Sequence, residues 1–282
     1  MSLRRAHYLS VALAVYGIAT TAMAGIVMES AERDTKTGAE RRASSIQVQN
    51  GRARIDSGAD AERASTVIFR DEAVHILNAK EKSYFVIDRE TVDRMANTMN
   101  DAMAKMQEQL AKMPPEQRAM MENMMKQRGM QAAPAPAKAA TYEVAATGAS
   151  ESVAGYSCKV MNVTRDGVLT QQLCVVPYSA LPGKDEFQSL IKQMTALTEK
   201  MAERTKQFAG DRNSNPTNME SSLAGKINGV PFISRRYRDG VLQPEETIVK
   251  SWKSQSIDAA QFEIPAGYAK KELPQMMNRP RQ

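Results

Sequence analysis

The sequence predicts an α+β protein in which one large antiparallel sheet is covered by two helical segments. Three observations indicate this class. Short runs of alternating apolar and polar residues recur along the chain, turn signals such as Asn50-Gly51 separate many of them, and two longer segments have apolar residues at steps of three and four. About ten strands in consecutive hairpins make an antiparallel sheet with an apolar face that needs a cover, and the two helices are the candidates to supply it.

The N-terminal segment has the pattern of a secretory signal. The apolar stretch "YLSVALAVYGIATTAMA" follows two arginines and ends in the small-x-small letters "AMA" directly before Gly25. We therefore predict a signal peptide over residues 1–24 and a single exported, periplasmic domain over 25–282. The apolar stretch is shorter than the roughly 20 residues of a membrane span, so we expect no stable membrane insertion.

The charge distribution argues against nucleic acid as a partner. The chain has 38 Lys and Arg against 32 Asp and Glu, a net charge of +6. These charges are mixed along the sequence without a long basic block, which is typical of a solvated surface. Export from the cytoplasm points the same way.

Few residues are available for catalysis. The chain has two histidines and two cysteines, and His7 lies in the predicted signal peptide. His75 alone, in a strand-like segment, cannot complete a usual zinc ligand set. No nucleophile elbow, phosphate loop, HExxH or dinucleotide fingerprint is present. We expect a protein that is not an enzyme, with no catalytic residues, no cofactor and no metal.

The cysteines flank a predicted hairpin, "GYSCKVMNVTRDGVLTQQLCVV". The letters "DG" between two alternating runs are a strong hairpin signal. With Arg165–Gly167 as a three-residue loop, the register places Cys158 opposite Cys174, and a disulfide closing about 15 residues contributes on the order of 3 kcal/mol. A redox-active pair is the alternative, although no CxxC is present. The letters "RDGVL" recur at 238–242 and predict a second hairpin.

Methionine is concentrated in the first helical segment, which holds ten of the chain's 19 between residues 95 and 130. Asp88 is the predicted N-cap, and Pro114-Pro115 must break the helix. A second arm follows, so that 89–130 forms a Met-rich helical insertion, and a Pro-Ala linker occupies 131–140. The apolar stripe of the first arm consists of Val92, Met95, Met99, Met103, Met106, Leu110 and Met113, and that of the second arm of Met120, Met121, Met124 and Met125.

The second helical segment, "KDEFQSLIKQMTALTEKMAERTKQF", is amphipathic. Its stripe includes Phe187, Leu190 and Met194. Three interpretations of the methionine surface stay open: it packs on the sheet as core, it is a pliable lining or lid over an apolar ligand, or its thioethers bind a soft metal such as Cu(I). Leu would specify a fixed core better than the flexible Met does.

Several stretches together carry a family resemblance. "NGRARID", "VIFRDEAVHILNAKEKSYFVID", "MPPEQRAMMENMM", "GYSCKV", "GVPF" and "FEIPAGYAKKEL" occur in order over nearly all of the mature chain. The sequence thereby resembles a bacterial periplasmic family known as domain of unknown function 4412, which is distantly similar to the LolA, LolB and LppX lipoprotein and lipid carriers. This resemblance implies an open half-barrel, LolA-like, with helices covering the concave face and an apolar cavity between them.

The sequence thus leads to one functional hypothesis with two alternatives. We expect an apolar small molecule or lipid, or an acylated peptide, to bind between sheet and Met-rich helices, with Pro114-Pro115 as a hinge. The alternatives are Cu(I) buffering by the methionine cluster and docking on an envelope protein as a stress module. The residues expected to line the cavity are Met95, Met99, Met103, Met106, Leu110, Met120, Met121, Met124, Met125, Phe187, Leu190 and Met194.

Overall fold

The computed structural model describes residues 24–58, 65–118, 120, 140–209 and 225–272. The side chains of Met99, Met103 and residues 202–209 are not part of this description. The predicted signal peptide therefore lies outside the described residues except for Ala24, and the predicted linker lies outside them except for Ala140.

Twelve strands of the described chain form one sheet in the order β12-β6-β5-β4-β3-β2-β1-β11-β10-β9-β8-β7. Neighbours pair antiparallel, except for the parallel pair β12 and β6. Because β12 and β7 lie at opposite ends of the order, the sheet is not closed into a barrel. The α+β class and the large antiparallel sheet are confirmed. The strands are β1 (Gly25–Asp34), β2 (Glu40–Gln49), β3 (Arg52–Ser57), β4 (Ser65–Arg70), β5 (Ala73–Asn78), β6 (Ser83–Ile87), β7 (Tyr142–Val153), β8 (Tyr156–Arg165), β9 (Val168–Pro177), β10 (Gly229–Arg238), β11 (Val241–Gln255) and β12 (Ala269–Lys270).

Two-residue turns close three of the hairpins, at the positions that the turn signals predict. Both central residues of each turn have positive φ, the conformation that matches the twist of a hairpin and that Asn-Gly and Asp-Gly adopt readily. These pairs are Asn50-Gly51, Asp166-Gly167 and Asp239-Gly240. Both copies of "RDGVL" are therefore hairpin turns.

The predicted disulfide between Cys158 and Cys174 is confirmed, but the predicted register is wrong. Arg165 pairs with Val168, so the loop has two residues rather than three, and the register shifts again next to Val163. As a result Val160, not Cys158, lies opposite Cys174. The disulfide joins diagonal neighbours on one face of β8 and β9, which lie close enough for a bridge.

The main hydrophobic core lies on one face of the central strands. It includes the fully buried Phe232 and the nearly buried Trp252, whose indole N–H donates to the carbonyl of Pro182 at 2.9 Å. Phe187 packs edge-on against Trp252 with ring centroids 5.2 Å apart. Leu190 is buried in the same core. The stripe of the second helix is therefore what packs onto this face.

The two long helices contact the sheet differently. Helix α1 (Arg89–Lys112) contacts β6, whereas helix α2 (Lys184–Ala209) contacts β1 and β2, and the helices contact each other. Among the described side chains of α1, only Thr91 and Val92 are buried. Most of the methionine-bearing length of α1 is exposed to solvent.

Both ends of α1 follow the sequence prediction. Asp88 caps the N-terminus by accepting from the Thr91 amide at 2.8 Å. The helix ends before Pro114, and residues 115–118 are helical again. The guanidinium of Arg118 folds back and donates to the carbonyls of Leu110 and Ala111, both at 3.0 Å. The bond to Ala111 satisfies a carbonyl that the end of the helix leaves without a helical partner, while the Leu110 carbonyl also accepts from the Met113 amide.

The sheet bends back on itself at its β7 end. Cα atoms of β7 and β11 lie within 8 Å of each other, although four strand spacings of about 4.8 Å would separate them by about 19 Å in a flat sheet. A row of charges spans this bend. The guanidinium of Arg235 on β10 donates two hydrogen bonds to the Glu151 carboxylate, at 2.7 and 2.8 Å. The Glu246 carboxylate accepts from both Arg235 and Arg33, each at 2.8 Å. Arg235 lowers the pKa of Glu151 by donating to its carboxylate, so this carboxylate stays charged.

The opposite face of the sheet carries the C-terminal segment. A 3-10 turn at Ala259–Phe262 contacts β3 and β4 and buries Phe262. His75 is buried between Ile68 and Val86 of the neighbouring strands. Burial lowers the pKa of His75 below its usual 6.5, so that the imidazole is neutral near pH 7.

Candidate functional site

A cleft of about 510 Å³ lies where the start of α1, the β4–β5 turn and the second half of α2 meet. This volume is within the range of small-molecule sites, about 300–1,000 Å³. The residues that line it are Asp71, Glu72, Asp88, Arg89, Glu90, Val92, Asp93, Leu197, Lys200 and Met201.

The apolar part of the cleft comes from both helices. Val92, in the first turn of α1, is 8% exposed. Leu197 and Met201 are four residues apart on α2, so they lie on the same helix face, and both contact the main core. The cleft is therefore an opening through which the apolar core face reaches solvent between the two helices.

The rim of the cleft is charged. Its lining holds five carboxylates and the two cations of Arg89 and Lys200. The Lys200 ammonium lies 3.6 Å from the Glu72 carboxylate, so this pair joins α2 to the β4–β5 turn. Arg89 lies 3.9 Å from Asp93 on the next helical turn. These pairs are exposed and long, so each contributes little to stability.

Two arginines outside the lining reduce the negative charge of the rim. Arg94 lies 3.7 Å from Glu90 but 3.4 Å from Glu272, and Arg70 lies 3.8 Å from Asp71 but closer to Glu263, so both arginines also pair with carboxylates outside the lining. The fifth carboxylate, Asp88, is the helix cap, and the Thr91 amide lowers its pKa, so it is ionised and already hydrogen-bonded. The mouth of the cleft is consequently mildly acidic, on a chain whose total charge is positive.

The ionisable groups that line the cleft are five carboxylates, one guanidinium and one ammonium. The ten lining residues include no Ser, Thr, Cys or His that could pair as nucleophile and base. In the ranges that the structure describes, no three His, Cys, Asp or Glu side chains are grouped to hold a metal ion. No helix of the described chain is long and apolar enough to cross a membrane.

The residues predicted to line a cavity fall into three groups, and those whose side chains the structure describes are not among the residues that line this cleft. Phe187, Leu190 and Met194 pack with the main core. On α1, Met95 is 47% exposed, while Met106 and Leu110 are half-buried. Met99 and Met103 are helical, but their side chains are not described. Beyond the helix break, Met120 is 69% exposed, and Met121, Met124 and Met125 lie outside the described residues.

Sequence reasoning missed the charged lining because it comes from three separate segments. Asp71 and Glu72 belong to a turn, and Lys200 lies more than a hundred residues further on. The sequence predicts Asp88 as a helix cap and places Asp93 in the first helical turns, and it assigns neither of them to a site. Their signal was an excess of carboxylates at the first turn of α1, which capping alone does not require.

An α+β protein with an open twelve-stranded sheet and a cleft between its two long helices is the class that fold and site define. Residues 89–268 match the family model of Domain of unknown function (DUF4412), and the chain belongs to this family. The matched region begins with α1, so it is shorter than the resemblance over nearly the whole mature chain implied. No curated protein gives a significant match.

Proposed function

We propose that this protein is a non-enzymatic periplasmic carrier or receptor that binds an apolar ligand, either a lipid or an acylated peptide, in the cleft between α1 and α2. The observation that carries the proposal is the apolar floor of Val92, Leu197 and Met201 in a cleft of about 510 Å³. Apolar surface left open between two helices is a typical place for a small ligand.

The charged rim limits the head group of the ligand. Five lining carboxylates against two lining cations disfavour an anionic head group at the mouth. A neutral, zwitterionic or positively charged head group meets no such repulsion. An acyl chain would lie over the floor, with its head group among Asp71, Glu72 and Asp93.

The methionine surface of α1 fits a pliable cover for this ligand. Met95 lies one helical turn beyond Val92, so it extends the apolar strip outward from the cleft. Flexible thioether side chains adapt to ligands of different shape. In this proposal the sheet is a LolA-like half-barrel, the two helices cover its concave face, and the break at Pro114 is the hinge of the cover.

Export is part of the same proposal. The buried disulfide is stable in an oxidising compartment, which supports a periplasmic location for the mature chain from Gly25 onward. A carrier of lipids or acylated peptides in that compartment needs a shielded apolar site, since such ligands are poorly soluble in water.

The test is a binding titration of the mature protein by native mass spectrometry with lysophosphatidylcholine, and with chain-matched anionic lysophosphatidylglycerol. We expect saturable binding of one or a few molecules and weaker binding of the anionic lipid. Val92→Asn should lower the affinity about tenfold, because it places a polar group in the apolar floor.

The matched control is Ala104→Asn, which introduces the same polar side chain at an exposed position of the same helix, outside the cleft lining. It should leave binding unchanged. Melting curves of both variants show whether each is folded. Non-saturable binding, or equal loss in both variants, would contradict the proposal.

A further inference from the structure

Methionine exposure differs sharply among the described parts of the chain. Met120 is 69% exposed and Met95 is 47% exposed, whereas Met28 in the main core is 9% exposed. Met120 and Met95 lie in the Met-rich insertion, on either side of the break at Pro114. Among the methionine side chains that the structure describes, those of Met95 and Met120 are therefore the ones that a dissolved reagent reaches first.

No thiol competes with these thioethers. The chain has two cysteines, and both are in the buried disulfide. Thiolates are usually the most reactive protein groups toward peroxides and hypohalous acids. In their absence, exposed methionine is the remaining sulfur that such oxidants can attack.

We propose that, among the described methionines, Met95 and Met120 are the ones that peroxides or hypohalous acids oxidise first, and that the sulfoxide at Met95 weakens ligand binding in the cleft. The second half rests on the proposed function, because it concerns the regulation of the same site.

The reaction is a two-electron oxidation of sulfur. The thioether sulfur attacks the terminal oxygen of the peroxide, the O–O bond breaks, and a sulfur–oxygen bond forms. The departing hydroxide takes the proton of the hydroxyl group now bound to sulfur and becomes water, and the side chain becomes methionine sulfoxide. Reduction by a methionine sulfoxide reductase restores the thioether.

The location of Met95 explains why its oxidation affects binding. It follows Val92 by three residues on α1, so both lie on one side of the helix at the entrance of the cleft. A sulfoxide at Met95 places a strong hydrogen-bond acceptor beside the apolar surface that the acyl chain covers. A ligand bound there must displace the water bound to the sulfoxide oxygen, which lowers its affinity. Met120, beyond the helix break, does not line the cleft and supplies the comparison.

The first measurement is peptide mapping by mass spectrometry after graded exposure of the mature protein to hydrogen peroxide. We expect Met95 and Met120 to oxidise about fivefold or more faster than Met28, in line with their exposure. Equal rates at these positions would overturn the assignment of the sites. This outcome does not depend on any ligand.

The second measurement is the affinity for lysophosphatidylcholine before and after peroxide. Treated wild type, and untreated Met95→Gln as a polar surrogate, should bind on the order of tenfold more weakly than untreated wild type. Treated Met95→Leu should keep its affinity, whereas treated Met120→Leu should lose it as wild type does. If treated Met95→Leu loses as much affinity as wild type, the role of Met95 is overturned.

The two measurements distinguish a failure of the proposed lipid binding from a failure of the proposed oxidation sites. If untreated wild type binds no lipid, both the proposed function and the effect of Met95 on the cleft are refuted. The peptide map then still decides whether Met95 and Met120 are the oxidation sites.

Discussion

The charge row at the bent end of the sheet gives a sharp prediction for stability. Glu246 is 5% exposed and accepts hydrogen bonds from Arg33 and Arg235, while Arg235 also forks onto Glu151. Glu246→Gln keeps the shape of the side chain but removes its charge. It also turns an NH2 group toward one of the two arginines, because Arg33 and Arg235 donate to different oxygens of the carboxylate.

The expected loss of unfolding free energy depends on the interactions that Arg33 and Arg235 retain in the variant. Removing one partner of a fully buried ion pair costs about 3–5 kcal/mol. Arg33 is partly exposed and Arg235 retains Glu151, so part of that loss is recovered. We expect Glu246→Gln to lower the free energy of unfolding by about 2–3 kcal/mol, and the melting temperature by about 5–10 °C.

The assay is chemical denaturation followed by the fluorescence of Trp252, the sole tryptophan of the chain, which is buried in the main core. The matched control is Glu40→Gln, which breaks an exposed pair with Lys250 on the same strand as Glu246 and should cost less than about 1 kcal/mol. If Glu246→Gln unfolds at the same denaturant concentration as wild type, or if both variants lose the same unfolding free energy, then the buried charge of Glu246 does not stabilise the fold.

Three further predictions concern the backbone, the disulfide and pH. Gly229→Ala should cost about 1–3 kcal/mol in unfolding free energy, because a Cβ there overlaps the backbone carbonyl of Val176 in the paired strand. Replacing Cys158 and Cys174 together by Ala should lower the unfolding free energy by about 3 kcal/mol, because the bridge closes a separation of 16 residues. Burial lowers the pKa of His75 in the folded state, so below pH 6.5 the unfolded chain binds more protons than the folded chain. The free energy of unfolding should therefore fall as the pH drops from 6.5 toward the folded-state pKa. In denaturation experiments at a series of pH values, His75→Asn should flatten this dependence.

Each of these has an outcome that would contradict it. Gly225→Ala meets no atom within 4 Å and should be neutral, so an equal loss there removes the steric explanation for Gly229. Chemical denaturation of wild type in the presence of a reductant should give the same loss of unfolding free energy as the cysteine substitutions. An unchanged unfolding free energy in the reduced protein would contradict the role of the disulfide. An unchanged slope below pH 6.5 in His75→Asn would assign the acid sensitivity to other groups.

Local sequence signals predicted the local parts of this fold well. Asn-Gly and Asp-Gly define their turns because few other pairs tolerate positive φ at both positions. The cap at Asp88 and the stop before Pro114 follow from hydrogen-bonding rules that act within one helical turn. Each of these features depends on residues that are close in the sequence.

The register of the cysteine hairpin shows where local signals end. The choice between a two- and a three-residue loop, and the irregularity beside Val163, shift the partner of Cys174 by two residues. The loop length and the irregularity leave the alternation of apolar and polar residues unchanged, so this pattern cannot predict them. The bend that brings Glu151 to Arg235, 84 residues later, is likewise set by the packing of the whole sheet.

The amphipathic stripe of α1 was an incomplete guide to burial. A stripe of Val92 and methionines predicts which side of the helix is apolar, but not how far along that side a partner surface extends. The partner surface reaches Val92 and leaves Met95 about half exposed. The cleft could not be predicted because the turn at Asp71 and the helix around Lys200 meet only in the folded chain.

The most direct test of the central claim is to map where a lipid touches the protein. A lysophosphatidylcholine with a photoactivatable diazirine on its acyl chain is bound to the mature protein, irradiated, and located by peptide mapping. The account predicts labels on peptides that contain Val92 and on those that contain Leu197 and Met201, with both signals displaced by unlabelled lipid. Labels confined to other surfaces, or labels that unlabelled lipid does not displace, would contradict it.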